Sequence, residues 1–158
     1  MDIAARKGGR NPETVRLIAV TKTVPVEQIR EASRAGARCF GENRIQEAVE
    51  KIDRLKGEDL RWHFIGHLQK NKVKFIFGRF DLIHSVDGAE LAETISRKSL
   101  EHGERMPILI QVNVSGEASK FGLPPPSLES TLRAVAKLEG VQVRGLMTIP
   151  PFDPDPER

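Results

Sequence analysis

A lysine, Lys22, closes the first apolar run of the sequence and precedes a turn that contains a proline, Thr23-Val24-Pro25. In a chain of alternating strands and helices, ligands bind where the carboxyl ends of the strands meet, so an amine at that position points towards the ligand. Lysine amines are nucleophiles that form Schiff bases with carbonyl compounds. Ile18, Val20 and Lys22 share one strand face, which predicts that the two apolar side chains fill an interior and that Lys22 emerges at its rim. The alternative is a surface lysine at a strand end.

Three more residues and one loop stand at the ends of predicted strands. Asn43 ends the second strand, where asparagine commonly caps a following helix. His63 shares strand parity with Ile65 and is expected to face the interior, either in contact with a ligand or packed and hydrogen-bonded. Met147 ends the sixth strand and either lines the site or belongs to the core. The loop 115–122 either folds over the site or is a long surface turn.

Other reactive side chains are interpreted as structural. His63 and His67 are four residues apart, but Gly66 and the strand pattern break helical geometry between them, so we predict no metal site. Cys39 is expected to be a small buried hydrophobe, with a reactive thiol as the alternative. Glu42 has the strand parity opposite to that of the site residues, which indicates a structural partner and not a base.

Short β-rich runs alternate along the chain with segments of helical periodicity. Proline near a helix start, glycine at its end and apolar residues three and four positions apart indicate the helices. Connections of helix length require parallel strands joined by right-handed crossovers. The predicted strands are 15–22, 39–43, 60–66, 82–86, 107–114 and 141–149, and the predicted helices are 25–36, 45–55, a shorter one within 69–77, 89–100 and 128–138.

Two architectures accommodate six such strands, an open doubly wound sheet and part of an eight-stranded (β/α) barrel. A dinucleotide-binding sheet would carry a glycine-rich turn after its first strand, and the turn after Thr21 has no glycine. Polar residues such as His63, His84 and Gln111 recur inside apolar strands, which suits a barrel mouth. We therefore predict a partial TIM-type barrel with six of the eight strands. Its incomplete domain is expected over residues 1–149, with 150–158 as the Pro-rich end of a truncated chain.

Composition excludes several classes of protein. The formal net charge is only +3, and the densest basic stretch, at positions 70, 72, 74 and 79, has the spacing of a solvated helix face, so no nucleic-acid binding is predicted. No apolar run approaches the length of a membrane span, and no signal-peptide core is evident. The single cysteine cannot form an intrachain disulfide. A cytoplasmic protein is therefore expected.

Several short motifs in this order resemble those of one family, the pyridoxal-phosphate homeostasis proteins or YggS/PROSC group, which is similar to the N-terminal domain of alanine racemase. Each motif is weak alone, but together they extend from residue 15 to residue 149. The motifs are Ala19-Val20-Thr21-Lys22-Thr23, Phe40-Gly41-Glu42-Asn43 with Gln46-Glu47, Trp62-His63-Phe64-Ile65-Gly66 with Leu68-Gln69 and Asn71-Lys72, His84-Ser85-Val86-Asp87, Asn113-Val114-Ser115-Gly116-Glu117 with Ser119-Lys120 and Gly122, and Arg144-Gly145-Leu146-Met147.

The resemblance implies a cofactor and a set of site residues. It implies that Lys22 holds pyridoxal 5′-phosphate (PLP) as a Schiff base and that the Asn43 amide lies beside the cofactor ring. His63 and Met147, chosen from their strand positions, are the further candidates for cofactor contact. The segment that grips the phosphate, and an arginine that faces the ring nitrogen, would lie beyond Arg158. PLP-dependent apoenzymes are the expected partners, and a monomer is the expected state of the complete protein.

Two functions of different class remain. The first is a PLP carrier or homeostasis protein without strong catalysis, and the alternative is an amino-acid racemase. A racemase needs a second positioned acid or base besides the lysine. In alanine racemases that role resembles a tyrosine from a separate domain, and this sequence contains no tyrosine. The sequence therefore favours the homeostasis function.

Overall fold

Six parallel strands form one sheet in which every strand lies beside its neighbour in sequence, in the order β1-β2-β3-β4-β5-β6. The structure, a computed structural model, describes residues 2–151. An uninterrupted order is that of a (β/α) barrel, whereas a doubly wound sheet reverses its order part-way. The prediction of a partial barrel is thereby confirmed. The strands are β1 (Ala19–Val20), β2 (Cys39–Glu42), β3 (Arg61–Phe64), β4 (Leu82–Val86), β5 (Met106–Gln111) and β6 (Val141–Met147).

Helices connect successive strands, as parallel pairing requires. Pro25 precedes α2 and Gly36, with φ +105°, follows it, so both boundaries match the sequence signals. The helix expected within 69–77 is a 3₁₀ helix instead, because its amides bond three residues back, as from Lys72 to Gln69. Among residues 2–151, no helix is long and apolar enough to cross a membrane. The α-helices are α1 (Asp2–Lys7), α2 (Val26–Arg34), α3 (Ile45–Arg54), α4 (Ala89–Glu101) and α5 (Leu128–Val135), and the 3₁₀ helices are Pro12–Thr14, Lys70–Phe75 and Pro125–Ser127.

The hydrophobic core lies between the outer face of the sheet and the helices. Phe40 and Trp62, on adjacent strands, have ring centroids 5.5 Å apart, and Phe64 meets the edge of Phe80 at 5.5 Å. All four side chains are buried. Each fully buried large apolar side chain contributes about 1.5–3 kcal/mol, so this layer fixes which face of each strand turns outward.

The first strand is shorter than predicted. Residues 15–22 were expected to be extended, but the ladder to β2 joins only Ala19 to Phe40 and Val20 to Gly41. β2 begins at Cys39, and β1 has no second neighbour among residues 2–151, so the earlier residues lack a ladder partner. For the same reason Val20 stays 49% exposed. The prediction that Val20 fills the interior is therefore wrong.

The Pro-rich tail predicted at 150–158 falls, from residue 152 onward, outside the described residues. The remaining boundary differences are one to three residues at strand and helix ends, as in β5, which ends at Gln111 and not at Val114. There the chain leaves the ladder because Asn113 bonds to its own loop, with Nδ2 donating to the Glu117 carbonyl.

The turn between α5 and β6 packs closely against α4. Gly140 is buried, and a Cβ atom there would lie 2.1 Å from the Ser96 carbonyl oxygen in α4. We predict that Gly140→Ala lowers the free energy of unfolding by about 1–3 kcal/mol, because the backbone of α4 must move. The matched control is Gly88→Ala, where φ is −177° and the added methyl group meets nothing within 4 Å. Urea unfolding measures both, and equal midpoints for the two variants would contradict the prediction.

Candidate functional site

The two faces of β2 and β3 carry different side chains. Gly41 faces inward, since a Cβ atom there would lie 3.1 Å from Ile18 Cγ2 and 3.2 Å from Ile65 Cδ1. Glu42, the next residue, faces outward and its Oε1 accepts from Lys51 Nζ of α3 at 2.9 Å. The inner face therefore alternates with the helix-covered face, and the residues predicted for the site share the inner parity.

Lys22 lies just beyond β1 with its side chain exposed. Thr21 is buried and its Oγ1 donates to Glu42 on the outer side at 2.7 Å, so Lys22 follows on the inner side. Among residues 2–151, no acceptor or carboxylate bonds to Lys22 Nζ. The amine is open to a ligand.

Asn43 is the inward residue that follows β2. The ladder joins Ala19 to Phe40 and Val20 to Gly41, so Lys22 and Asn43 each lie two residues beyond its last pair and share the inner parity. The Oδ1 atom of Asn43 is buried and has no hydrogen-bond partner. The helix-cap alternative is wrong, because α3 has Arg44 at its N-cap position and no side-chain cap. An unpartnered buried amide atom is costly unless a ligand or water completes it.

His63 lies on β3, in register with Gly41 of β2, and is hydrogen-bonded to a second histidine. Its Nδ1 is 2.9 Å from Nε2 of His84 on β4, and both rings are buried. One nitrogen must donate and the other accept, which requires at least one neutral ring. Burial, together with a smaller contribution from the charge of a protonated His63, lowers the pKa of His84 to about 4. Burial also lowers the pKa of His63, and Arg16 and Arg61 act in the same direction against Asp81.

Met147 ends β6 at the far edge of the sheet from β1. It is half-buried, pairs in register with Gln111 of β5, and its carbonyl accepts from the Val112 amide at 2.9 Å. Gln111 is buried and its Nε2 donates to the Phe121 carbonyl at 3.1 Å. Lys22 and Asn43 therefore follow the adjacent strands β1 and β2, whereas Met147 ends β6, the strand at the opposite edge of the sheet.

The loop after β5 crosses the carboxyl ends of the neighbouring strands. The Phe121 ring stacks on His67, which follows β3, with centroids 4.1 Å apart and planes 13° from parallel. His67 Nδ1 also lies 3.5 Å from Asp87 Oδ2, after β4. The loop thus reaches across the end of β4 to the residue that follows β3, while Phe121 itself stays exposed.

Sequence reasoning missed His84 as the partner of His63, although both had been recognised as polar residues in apolar strands. Adjacent parallel strands with inward histidines at similar height predict such a pair. Cys39 is buried, in agreement with the small-hydrophobe interpretation. Within residues 2–151, no group of three or more His, Cys, Asp or Glu side chains is placed to hold a metal ion.

Comparison with known proteins identifies the family. The family described as alanine racemase, N-terminal domain, matches residues 5–158. A pyridoxal phosphate homeostasis protein of Aquifex aeolicus is 44% identical over 154 residues, which cover 98% of this chain and 68% of that protein. The chain belongs to the pyridoxal phosphate homeostasis protein family. A family member from Pseudomonas aeruginosa is 45% identical and is covered over 66% of its length, so the chain spans about two thirds of these relatives.

Solved structures of similar proteins have the same fold. PipY of Synechococcus elongatus without PLP is 42% identical, with a TM-score of 0.85 over 95% of this chain and 70% of that one. PipY was also solved with PLP bound, at 41% identity and a TM-score of 0.82 over 96% of this chain and 70% of that one. An alanine racemase of Clostridium difficile is 18% identical, with a TM-score of 0.72 over 93% of this chain and 38% of that one, and shares the fold alone.

The histidine pair makes stability depend on pH. The pKa of His84 is lowered from 6.5 to about 4, so between these pH values the unfolded chain binds more protons than the folded one. The free energy of unfolding should therefore fall as pH falls from 6.5 to 4, with a share from His84 of up to about 1.4 kcal/mol per pH unit. His84→Gln should flatten this slope in urea titrations, whereas Ile83→Val, which keeps both histidines, should retain it. Equal slopes for His84→Gln and the wild type would contradict the role of the pair.

The stacked loop gives a separate prediction. Phe121→Ala removes an aromatic pair worth about 0.5–1.5 kcal/mol, so the amides of residues 115–120 should exchange with deuterium about three to ten times faster. Val114→Ala, which truncates an exposed side chain at the start of the same loop, is the control and should leave the rates unchanged. Unchanged exchange in Phe121→Ala would show that the stack does not hold the loop.

Proposed function

We propose that this protein binds PLP through a Schiff base with Lys22 and acts in intracellular PLP homeostasis. One observation carries the proposal: an exposed amine without a partner among residues 2–151 and an amide whose buried Oδ1 also has none follow the adjacent strands β1 and β2 and share the inner parity. PLP offers an aldehyde for an amine and ring substituents that hydrogen-bond to an amide. Its relative PipY was solved with PLP bound, which supports the same ligand here.

Each site residue has a role in this proposal. Lys22 would hold PLP through its amine, which condenses with an aldehyde with loss of water. The Asn43 amide would hydrogen-bond to the cofactor, since asparagine supplies both a donor and an acceptor. His63 and its partner His84 hold β3 and β4 together. Met147 would offer an apolar contact from β6. PLP, when bound, supplies a conjugated ring that withdraws electrons from amines attached to its aldehyde carbon.

We further propose that the bound PLP is exchanged with PLP-dependent apoenzymes in the cytoplasm. The exposure of Lys22 supports a reversible link, because water must reach the bond to hydrolyse it. Reversible storage keeps free aldehyde low, and a reactive aldehyde would otherwise attack lysines of other proteins. The names of the relatives support this role.

Lys22 is tested directly by labelling. The chain is incubated with PLP and reduced with borohydride, and the modified peptides are identified by mass spectrometry. We expect the wild type to carry the adduct on Lys22 and to show the absorbance of covalently bound PLP. Lys22→Ala should lose both the adduct and the absorbance. The control is Lys137→Ala, which removes another exposed lysine and should label as the wild type does. Equal labelling of wild type and Lys22→Ala would overturn the site assignment.

The choice between homeostasis and racemisation is tested with the same loaded protein. We expect transfer of PLP to an apoenzyme, measured as recovered apoenzyme activity, that depends on Lys22. Racemisation of L-alanine above the level of Lys22→Ala would instead support the racemase alternative.

A further inference from the structure

Behind the candidate site, on the helix-covered side of the sheet, lies an ionic cluster of Glu42, Glu47 and Lys51. We propose that this cluster positions Lys22. It is hydrogen-bonded to the backbone on both sides of Lys22 and so fixes the position from which the amine extends. The inference rests on the proposed function, because positioning matters only if Lys22 is the reacting group.

Lys51 of α3 supplies the centre of the cluster. Its Nζ donates to Glu42 Oε1 at 2.9 Å, to Glu47 Oε1 at 2.5 Å and to the Thr21 carbonyl at 2.6 Å. These contacts use all three of its donors. Lys51 is 7% exposed and Glu42 is fully buried, so their contact is shielded from water and its geometry is restrictive, while the Glu47 side chain is 26% exposed. The residue before Lys22 is thus held by its carbonyl.

Glu47 holds the residue after Lys22. Its Oε1 accepts the Thr23 amide at 2.6 Å as well as the Lys51 ammonium. Both contacts lower the pKa of Glu47, which keeps it ionised. Thr23 has φ +63°, the one non-glycine residue with positive φ among residues 2–151. A left-handed threonine is disfavoured by about 1–2 kcal/mol, and it persists where surrounding contacts impose it.

The energetics favour positioning over stability as the role of the cluster. Buried ion pairs seldom stabilise a fold more than packed apolar side chains would, because both charges lose their water. Here the contacts of the cluster with the backbone end on Thr21 and Thr23, the two neighbours of Lys22. What the cluster specifies is therefore the path of three residues. A fixed path keeps the Lys22 amine on the inner face near Asn43, which removes an entropic cost from its reaction.

The test varies the acceptor at position 47. Glu47→Ala removes both contacts, Glu47→Gln keeps an acceptor for the Thr23 amide without the charge, and Glu50→Ala changes an exposed glutamate on the same helix as a control. The first readout is the rate of PLP adduct formation at Lys22, trapped with borohydride and compared with Lys137 in the same sample. The second is deuterium exchange of the Thr23 amide, which needs no PLP.

We expect Glu47→Ala to slow adduct formation at Lys22 about tenfold and to accelerate Thr23 exchange about tenfold, as for the loss of a hydrogen bond to a charged acceptor. Glu47→Gln should recover most of both rates, and Glu50→Ala should match the wild type. Urea unfolding confirms that each variant is folded at the labelling temperature. If Glu47→Ala does not fold, Lys51→Met takes its place and Glu47→Gln remains the comparison. Slower adduct formation at Lys22 and faster Thr23 exchange are then expected in Lys51→Met.

The outcomes separate the two proposals. Wild-type protein that labels at Lys22, with Glu47→Ala labelling at the same rate, overturns the positioning role and leaves the PLP site intact. Slower labelling at Lys22 and Lys137 alike also overturns it, because a general loss of structure would then explain the effect. Wild-type protein without an adduct at Lys22 overturns the proposed function, and Thr23 exchange still reports whether Glu47 holds the turn.

Discussion

Parallel pairing with helices on one side only is the constraint on which the rest of this structure depends. Each strand must return through a helix, so all six carboxyl ends lie at one edge of the sheet. Alternation then divides every strand into an outward set that packs on helices and an inward set that does not. Phe40 and Glu42 go outward, while Gly41 and Asn43 go inward. The inner rim can therefore hold polar groups such as His63 and Asn43, because no helix of residues 2–151 packs on that face.

The polar groups in this rim are not equivalent. His63 and His84 complete each other at 2.9 Å, and Gln111 is bonded to the backbone of the loop above it. These contacts hold neighbouring elements together and give those side chains a structural role. Lys22 Nζ and Asn43 Oδ1 have no such partner among residues 2–151. A buried polar atom left open is unfavourable in a folded chain, so it is a better guide to a ligand than polarity alone.

The sequence predicted most of this fold because its signals were local or periodic. Strand alternation placed His63 inward, and Pro25 and Gly36 marked the ends of α2. The short β1 could not be predicted, since a strand extends only where a neighbour completes its ladder, and that neighbour is distant in sequence. The partnership of His63 with His84 and the contact of Lys51 with Thr21 were missed for a related reason. Both join residues at least 21 positions apart, and their geometry follows from register and not from composition.

In the proposed site, Lys22 is a reactive group that is both fixed and exposed. Its side chain is open to solvent, as exchange of a bound aldehyde requires, but a free lysine has about 2 kcal/mol of rotamer entropy to lose when it reacts. Ordering the backbone beside it leaves that side-chain cost in place but removes the cost of fixing the backbone when the ligand binds. The buried cluster does this from the far side of the sheet, where its charges cannot compete for the aldehyde. Because the ionic cluster and the amine lie on opposite sides of the sheet, Lys22 can remain accessible to solvent while its backbone is held in place.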